Sequence, residues 1–411
     1  MQNGKHFADD KSLRGRNRAI IYGIAYGDAL GATVEGLTPE QIRAQYGRVT
    51  SLDVDWHKKD DPQPLRAFQR VRGGGITTDD TQMALCLMAT YVHERRHLDA
   101  WDLADHMLKE IAWRPRYIPE LQKETALLER LFYAEKWIFN RHQLTSCDPR
   151  QGGIGNMVNC GAAMYIAPIG AANAGDPARA YNEAIAFATG HQESYGLEAA
   201  AVLSAAVAAA FIPGATIETI ITEVLLLAKD GTKAAIQAIV DAVPALRGKS
   251  HSEVTAGFHA AIAPFSPIGE VIKQAPKNGV PAAAYRPSRF LSIEEVPIAL
   301  GFALINDGDF RETIIDGINS GRDTDSIGVM AGTVLGALHG AKVIDRKLLK
   351  QLDTINKFDL MQAADDFTMA VEQIHKIDAE DARRVAETRL ACTNNQSESS
   401  KAYTRYNATA F

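Results

Sequence analysis

Apolar residues recur at helical spacing along most of this chain, and polar breaks divide the pattern into short segments. The period predicts helices over Thr81–His93, Ala100–Trp113, Cys160–Ala172, Asp176–Phe187, Leu197–Phe211 and Thr216–Lys229, with a helix pair inside Glu120–Phe139. It continues through Thr232–Val243, Glu253–Ala263, Glu294–Ile305, Asp309–Ser320, Ile327–Gly340 and Asp345–Leu352. Pro39, Pro62, Pro64 and the charged run His57–Asp61 break the stretch from Leu37 to Arg72 into a short helix and a long loop; Arg141–Gly155 and Pro264–Ser288 also read as loops. No alternating run is long enough for a sheet, so the expected fold is all-α, a single compact many-helix orthogonal bundle. Its boundaries are placed at residues 16–385, with a flexible leader over 1–15 and a disordered tail over 386–411, rich in Asn, Ser and Thr from Cys392 onward.

Two glycine stripes stand out within this pattern. Glycines 23, 27 and 31 lie in the apolar segment Asn17–Gly36, and glycines 328, 332, 336 and 340 follow Ser326. An i, i+4 spacing puts each set on one helical face. Glycine costs a helix interior about 1 kcal/mol relative to Ala, so each stripe needs a packing reason such as close approach of another backbone. The two helices are therefore expected to cross closely, bringing Asp28 and Glu35 near Asp323 and Asp325.

Composition narrows the function. At 411 residues and 46% hydrophobic the chain can bury a large core, and a net charge of −6 without a long Lys/Arg block disfavours a nucleic-acid or anionic-membrane surface. The cysteines 86, 147, 160 and 392 form no C-x-x-C pair and suit a reducing cytoplasmic setting; Cys86 and Cys160 read as core residues. The polar start of the chain shows no secretory signal, and the Ala-rich run Leu197–Ile212 is shorter than the about 20 residues a membrane span needs.

Chemistry concentrates in two clusters. Gly73-Gly74-Gly75-Ile76-Thr77-Thr78-Asp79-Asp80-Thr81 sets adjacent acids at the start of an apolar helix, and Gly321-Arg322-Asp323-Thr324-Asp325-Ser326 does the same late in the chain. Neighbouring carboxylates repel unless positive charge lies between them. Thr78, Asp79, Asp80, Asp323, Asp325 and Ser326 offer only oxygen, which favours hard cations, and four carboxylates suit two ions about 4 Å apart better than one Mg²⁺. An EF-hand is excluded because Val334 stands where its closing Glu belongs. Each cluster alone also reads as a helix N-cap, Glu35 as a solvated helix end and His191 as a loop histidine. Gly153–Asn156 is a turn whose N–H groups are placed to cradle a phosphate, although G-x-G-x-x-G fails at Val158.

With these residues in hand, the chain resembles the ADP-ribosylglycohydrolase family. The shared motifs are Gly27-Asp28-Ala29-Leu30-Gly31 with Glu35, Thr78-Asp79-Asp80-Thr81, Asn159-Cys160-Gly161-Ala162-Ala163-Met164-Tyr165, His191, and Asp323-Thr324-Asp325-Ser326. The resemblance implies two divalent cations, Mg²⁺ or Mn²⁺, at a binuclear site on helix ends, held by the six oxygen-bearing residues. It also implies hydrolysis at the ribose anomeric carbon of an ADP-ribosylated protein or small ribosylated substrate, with Asp79, Asp80 or Glu35 handling protons. Gly155, Asn156, Asn159 and His191 would line the pocket, with Arg322 available either to a phosphate or to a neighbouring acid. Three positions depart from the family pattern: Cys160 for Gly, Tyr165 for Arg, and Arg322 for the Gly before the late Asp. They leave open a ribonucleosidase or nucleotide N-glycosidase of the same fold, and, less readily, a non-catalytic binding relative.

Overall fold

The computed structural model describes residues 6–60, 70–265 and 292–393. They form an all-α bundle in which one small antiparallel hairpin, Arg116–Ile118 against Lys123–Thr125, is the only sheet among the described residues. That hairpin and the 3₁₀ turns beside it replace the first half of the helix pair expected over Glu120–Phe139; only Tyr133–Phe139 is α-helical there. The segment Cys160–Ala172 likewise splits into a 3₁₀ turn at Ala163–Tyr165 and a short helix at Ala167–Ala172, where Pro168 removes a donor that a continuous helix needs.

The centre of the bundle is the crossing of Leu13–Gly31 with Thr324–His339. Both helices are buried around most of their circumference. Gly23 lies on Gly332, Gly27 on Gly328, Gly31 on Thr324 and Asp325, and Gly336 on Ala19, backbone against backbone. A Cβ on Gly328 would stand 2.7 Å from the Gly27 carbonyl oxygen, closer than real side chains come. The glycines from 23 to 31 and from 328 to 336 therefore do what their spacing predicts, whereas Gly340 caps the helix at φ +71° and lies on the Asp10 backbone instead. The span Thr324–Val343 is long and apolar enough to cross a membrane, but 83% of it is buried inside the protein, as a central core helix must be.

The longest helix, Leu360–Thr393, is absent from the predicted elements. Its first half buries Leu360, Ala364, Phe367, Val371 and Ile374 at i, i+3/i+4 spacing, while its last turns are exposed all round. The helix carries the chain past the tail boundary placed at 386; residues 394–411 lie outside the described residues, as do 61–69 and 266–291 of the expected loops. At the other end, Phe7 N–H donates to the Ile344 carbonyl and His6 bridges Asp345, so the described part of the leader is docked on the bundle.

Candidate functional site

The glycine turn at 73–75 starts the site. All three residues have φ between +64° and +98°, the left-handed region open to glycine. The turn delivers Thr77 to Asn356, whose side-chain oxygen accepts from Thr77 N–H at 2.9 Å and whose amide donates to the Gly75 carbonyl at 2.8 Å. Thr78 then caps the helix Asp79–Glu94, its hydroxyl accepting from Asp80 N–H. Asp28, fully buried, takes the N–H groups of Thr78 and Thr81 and the Thr81 hydroxyl. Burial pushes Asp28 up to about 6 against the pull of those donors. Asp28 thus positions the turn rather than facing the cavity.

The capping explanation fails for the acids themselves. Asp79 and Asp80 lie within the first turn, behind the Thr78 cap, and Asp323 precedes Thr324–His339 without a side-chain capping bond. Instead Asp79, Asp80, Asp323, Asp325 and Ser326 line one cavity of about 400 Å³, together with Glu35, Glu135, Asn159 and Cys160. Ser326 Oγ donates to Asp80 Oδ1 at 3.3 Å, joining the two clusters directly. Oxygens of Glu35, Asp323 and Asp325 lie within 4.8 Å of one another.

The electrostatics match this crowding. Burial, then the charges of Asp28, Asp79 and Asp323, drive Asp80 well above the ordinary carboxylate range. Burial, then Glu35, Asp80 and Asp323, do the same to Asp325. Two buried arginines offset part of the repulsion. Arg130 pairs with Asp79 at 2.5 Å and with Glu120; Arg72 pairs with Glu35, with Glu120 at 2.7 Å, and reaches Asp325 at 3.9 Å. Glu120, completely buried, thereby clamps both guanidinium groups. Burial works against its charge, but Arg130 and Arg72 outweigh it and hold its pKa below the usual value. An all-oxygen set of buried, mutually repelling acids suits hard divalent cations, and the acidic clusters are able to bind them.

Several contributors escape the sequence reading. Arg72 and Arg130 flank proline-broken loop and hairpin, where no periodicity assigns a face. Glu135 had a signal: in the helix Tyr133–Phe139 it shares the buried face with Ala134 and Ile138, an acid where an apolar residue is expected. Its carboxyl lines the cavity and accepts from Asn159 Nδ2 at 3.3 Å. Burial, then the charge of Asp79, pushes it up to about 8.

Four expected pocket residues stand elsewhere. Of the described residues, Gly155, Asn156, His191 and Arg322 are not among those lining the cavity. The Gly153–Asn156 turn spends its N–H groups internally: Gly153 donates to Thr189 O, Gly155 to the Glu193 carboxylate and Asn156 to Gly153 O, which removes the phosphate cradle. Asn156 Nδ2 donates to the Ala134 and His191 carbonyls, fixing the strand of chain behind the site. His191 is fully buried and meets the Tyr165 hydroxyl at 3.0 Å; burial pushes it down to about 3, so it is neutral. Arg322 pairs with buried Glu294 at 2.7 Å, a salt bridge to a neighbouring acid. Its φ is +71°, so an arginine occupies a backbone conformation that favours glycine. Asn159 does line the cavity, held by Gly161 N–H and Gln192. Cys160 lies there too, its thiol 3.5 Å from Ser326 Oγ and 3.6 Å from Asp323 Oδ2. Burial and the Asp323 charge keep that thiol protonated.

Fold and site together define an all-α protein of the glycohydrolase class that the motifs resemble. The chain belongs to the ADP-ribosylglycohydrolase family, which it matches over residues 9–376. It is 25% identical over 357 residues to the uncharacterized protein YegU of Escherichia coli K12, covering 84% of this chain and 93% of that protein. It is 26% identical over 351 residues to an uncharacterized protein of Archaeoglobus fulgidus, covering 82% and 94%. A solved structure described as an ADP-ribosylglycohydrolase-related protein complex shares the fold, with a TM-score of 0.55 at 22% identity, over 89% of this chain and 99% of that one.

Proposed function

We propose that this chain hydrolyses the ribosyl glycosidic bond of an ADP-ribosylated protein or small molecule, in a site that takes two divalent cations, Mg²⁺ or Mn²⁺. The observation that carries this reading is the convergence of Asp79, Asp80, Asp323 and Asp325 from two helix starts on one polar cavity, joined by the Ser326–Asp80 hydrogen bond. Asp79, Asp80, Asp323, Asp325 and Ser326 would hold the cations from the cavity wall, and Thr78, whose hydroxyl caps the helix beside Asp80, would join them only by turning from that cap. When bound, the cations supply positive charge that polarises ribose oxygens and an attacking water.

The remaining residues orient and protonate. Asp79 is committed to Arg130 and Asp80 to the crowded cluster, which leaves Glu35, steered by Arg72, to handle the proton of the attacking water. The hydroxyl of that water joins the ribose anomeric carbon, the glycosidic bond breaks, and the proton ends on the leaving group. Arg70 and Lys58 supply positive charge at the cavity for a diphosphate, and Trp56 and Phe132 supply apolar surface for a base. Tyr165 and Arg322 depart from the family pattern at positions off the cavity lining, so the case for a nucleosidase built on them weakens.

The test is a panel of ADP-ribosylated protein, ADP-ribose derivatives and nucleosides incubated with Mg²⁺ or Mn²⁺. The expected result is release of ADP-ribose from the ribosylated substrates, abolished in Asp325→Asn and slowed with cation binding intact in Glu35→Gln. Turnover of plain nucleosides alone would overturn the substrate class, and full activity in Asp325→Asn would overturn the site.

A further inference from the structure

Away from the cavity, a second group of metal-ligating side chains comes together. His93 and Glu94 end the helix Asp79–Glu94, and His106 sits in the π-helical turn Leu103–Met107. One ligand atom from each lies within 4.8 Å of the other two. The imidazole rings are 4.2 Å apart between centroids and tilted by 41°, and His106 Nε2 is 2.7 Å from Glu94 Oε1. Arg96 holds the other Glu94 oxygen at 2.8 Å, which fixes the carboxylate with one oxygen turned to the histidines.

We propose that His93, Glu94 and His106 form a binding site for a Zn²⁺-like dication, separate in place and chemistry from the acidic cavity. Two imidazole nitrogens and one carboxylate oxygen are the donor set of borderline, late first-row ions, whereas the cavity offers mainly oxygen. Around a tetrahedral ion with bonds of about 2.0–2.1 Å, neighbouring donors sit roughly 3.4 Å apart. The Glu94–His106 pair must therefore open by roughly 0.7 Å from its 2.7 Å hydrogen bond as the ion replaces the shared proton. His93 is exposed and the other two are half-buried, so the side chains have room for that shift. The π turn supplies the alignment: its wider winding places His106 beside the last turn of a different helix. Three protein ligands leave a fourth position for water or an anion, and the site borders a groove of about 990 Å³ that also carries Lys109, Arg116 and Lys357. The ion would staple the far end of the helix whose first turn bears Asp79 and Asp80.

The experiment uses the full chain, purified free of metal, titrated with Zn²⁺ by calorimetry and followed by thermal unfolding, with Cu²⁺ as a spectroscopic probe. Asp80→Asn and Asp325→Asn disable the cavity and should still bind one equivalent of Zn²⁺, with a raised unfolding temperature. His93→Ala and His106→Ala, combined with Asp325→Asn, should weaken that binding more than about 100-fold, beyond what loss of an outer-shell partner costs. They should also remove nitrogen couplings from the Cu²⁺ electron paramagnetic resonance spectrum, while without metal they stay folded, with a cooperative unfolding transition compared against Asp325→Asn alone. Equal Zn²⁺ affinity with and without the histidines would overturn the proposal, as would no Zn²⁺ binding in the cavity variants. Glycohydrolase activity plays no part in the readout, so failure here leaves the proposed function standing.

Discussion

Gly332→Ala tests the central crossing because its two consequences have opposite signs. In an ordinary helix the change stabilises by about 1 kcal/mol, since Ala is the better helix former. Here the added methyl would lie 2.7 Å from the Gly23 carbonyl carbon and 3.0 Å from its Cα, with the carbonyl oxygen nearer still. These atoms are helical backbone and have no flexible end to swing aside. The helices must separate, and overpacking of this kind costs about 1–3 kcal/mol, toward the upper end where backbone meets backbone. Setting about 3 against about 1 leaves a net loss of about 2 kcal/mol. Urea unfolding of wild type and variant measures it directly. Gly336→Ala, whose methyl would stand 2.6 Å from the Ala19 carbonyl oxygen, should lose a similar amount. A variant stabilised by about 1 kcal/mol would show that propensity acts alone and that the helices do not touch there.

Three further outcomes follow from the charges. Arg322→Gly relieves a left-handed backbone worth about 1 kcal/mol but breaks the buried ion pair with Glu294, a larger loss, so calorimetry should find the glycine variant less stable. Asp325→Asn removes a carboxylate whose pKa burial and three neighbouring acids raise; at pH 7 without divalent cations the variant should therefore unfold at a higher temperature than wild type, while losing the upward shift that Mg²⁺ or Mn²⁺ gives wild type. His97 is opposed by burial but raised overall by Glu183 at its Nδ1 and Asp378 at its Nε2. A histidine raised on folding contributes stability below its unfolded pKa of about 6.5 and loses it as pH climbs through the folded value. Stability differences between wild type and His97→Gln, measured across that window, should shrink toward alkaline pH, and a constant difference would exclude the charge pair.

How far the sequence leads depends on whether a residue's role is local. The glycines from 23 to 31 and from 328 to 336 and the paired acids at 79–80 and 323–325 carry their geometry in their spacing, and they reappear where that spacing places them, while Gly340 falls past the helix end. The phosphate cradle at Gly153–Asn156 does not, because whether a turn's N–H groups are free depends on Thr189 and Glu193, which the turn's own sequence cannot show. Arg322 is similar: Glu294 reaches it from a different helix start. The hairpin at 116–125 is too short for an alternating pattern to declare itself, and Arg72, Glu120 and Arg130 form a network only once that hairpin brings them together. Glu135 was readable as an acid on an apolar helical face, a position that burial alone would forbid without a task.

The Leu13–Gly31 and Thr324–His339 crossing also sets a timetable. Synthesis at about 5–20 residues per second separates the emergence of these two helices by roughly 15–60 s. During that interval the glycine face of the first helix has no partner, and the acids at 79–80 wait without those at 323–325. The candidate active site is thus among the last parts of the molecule to come into existence, so a chain halted before residue 324 carries most of the fold's mass and none of its complete site.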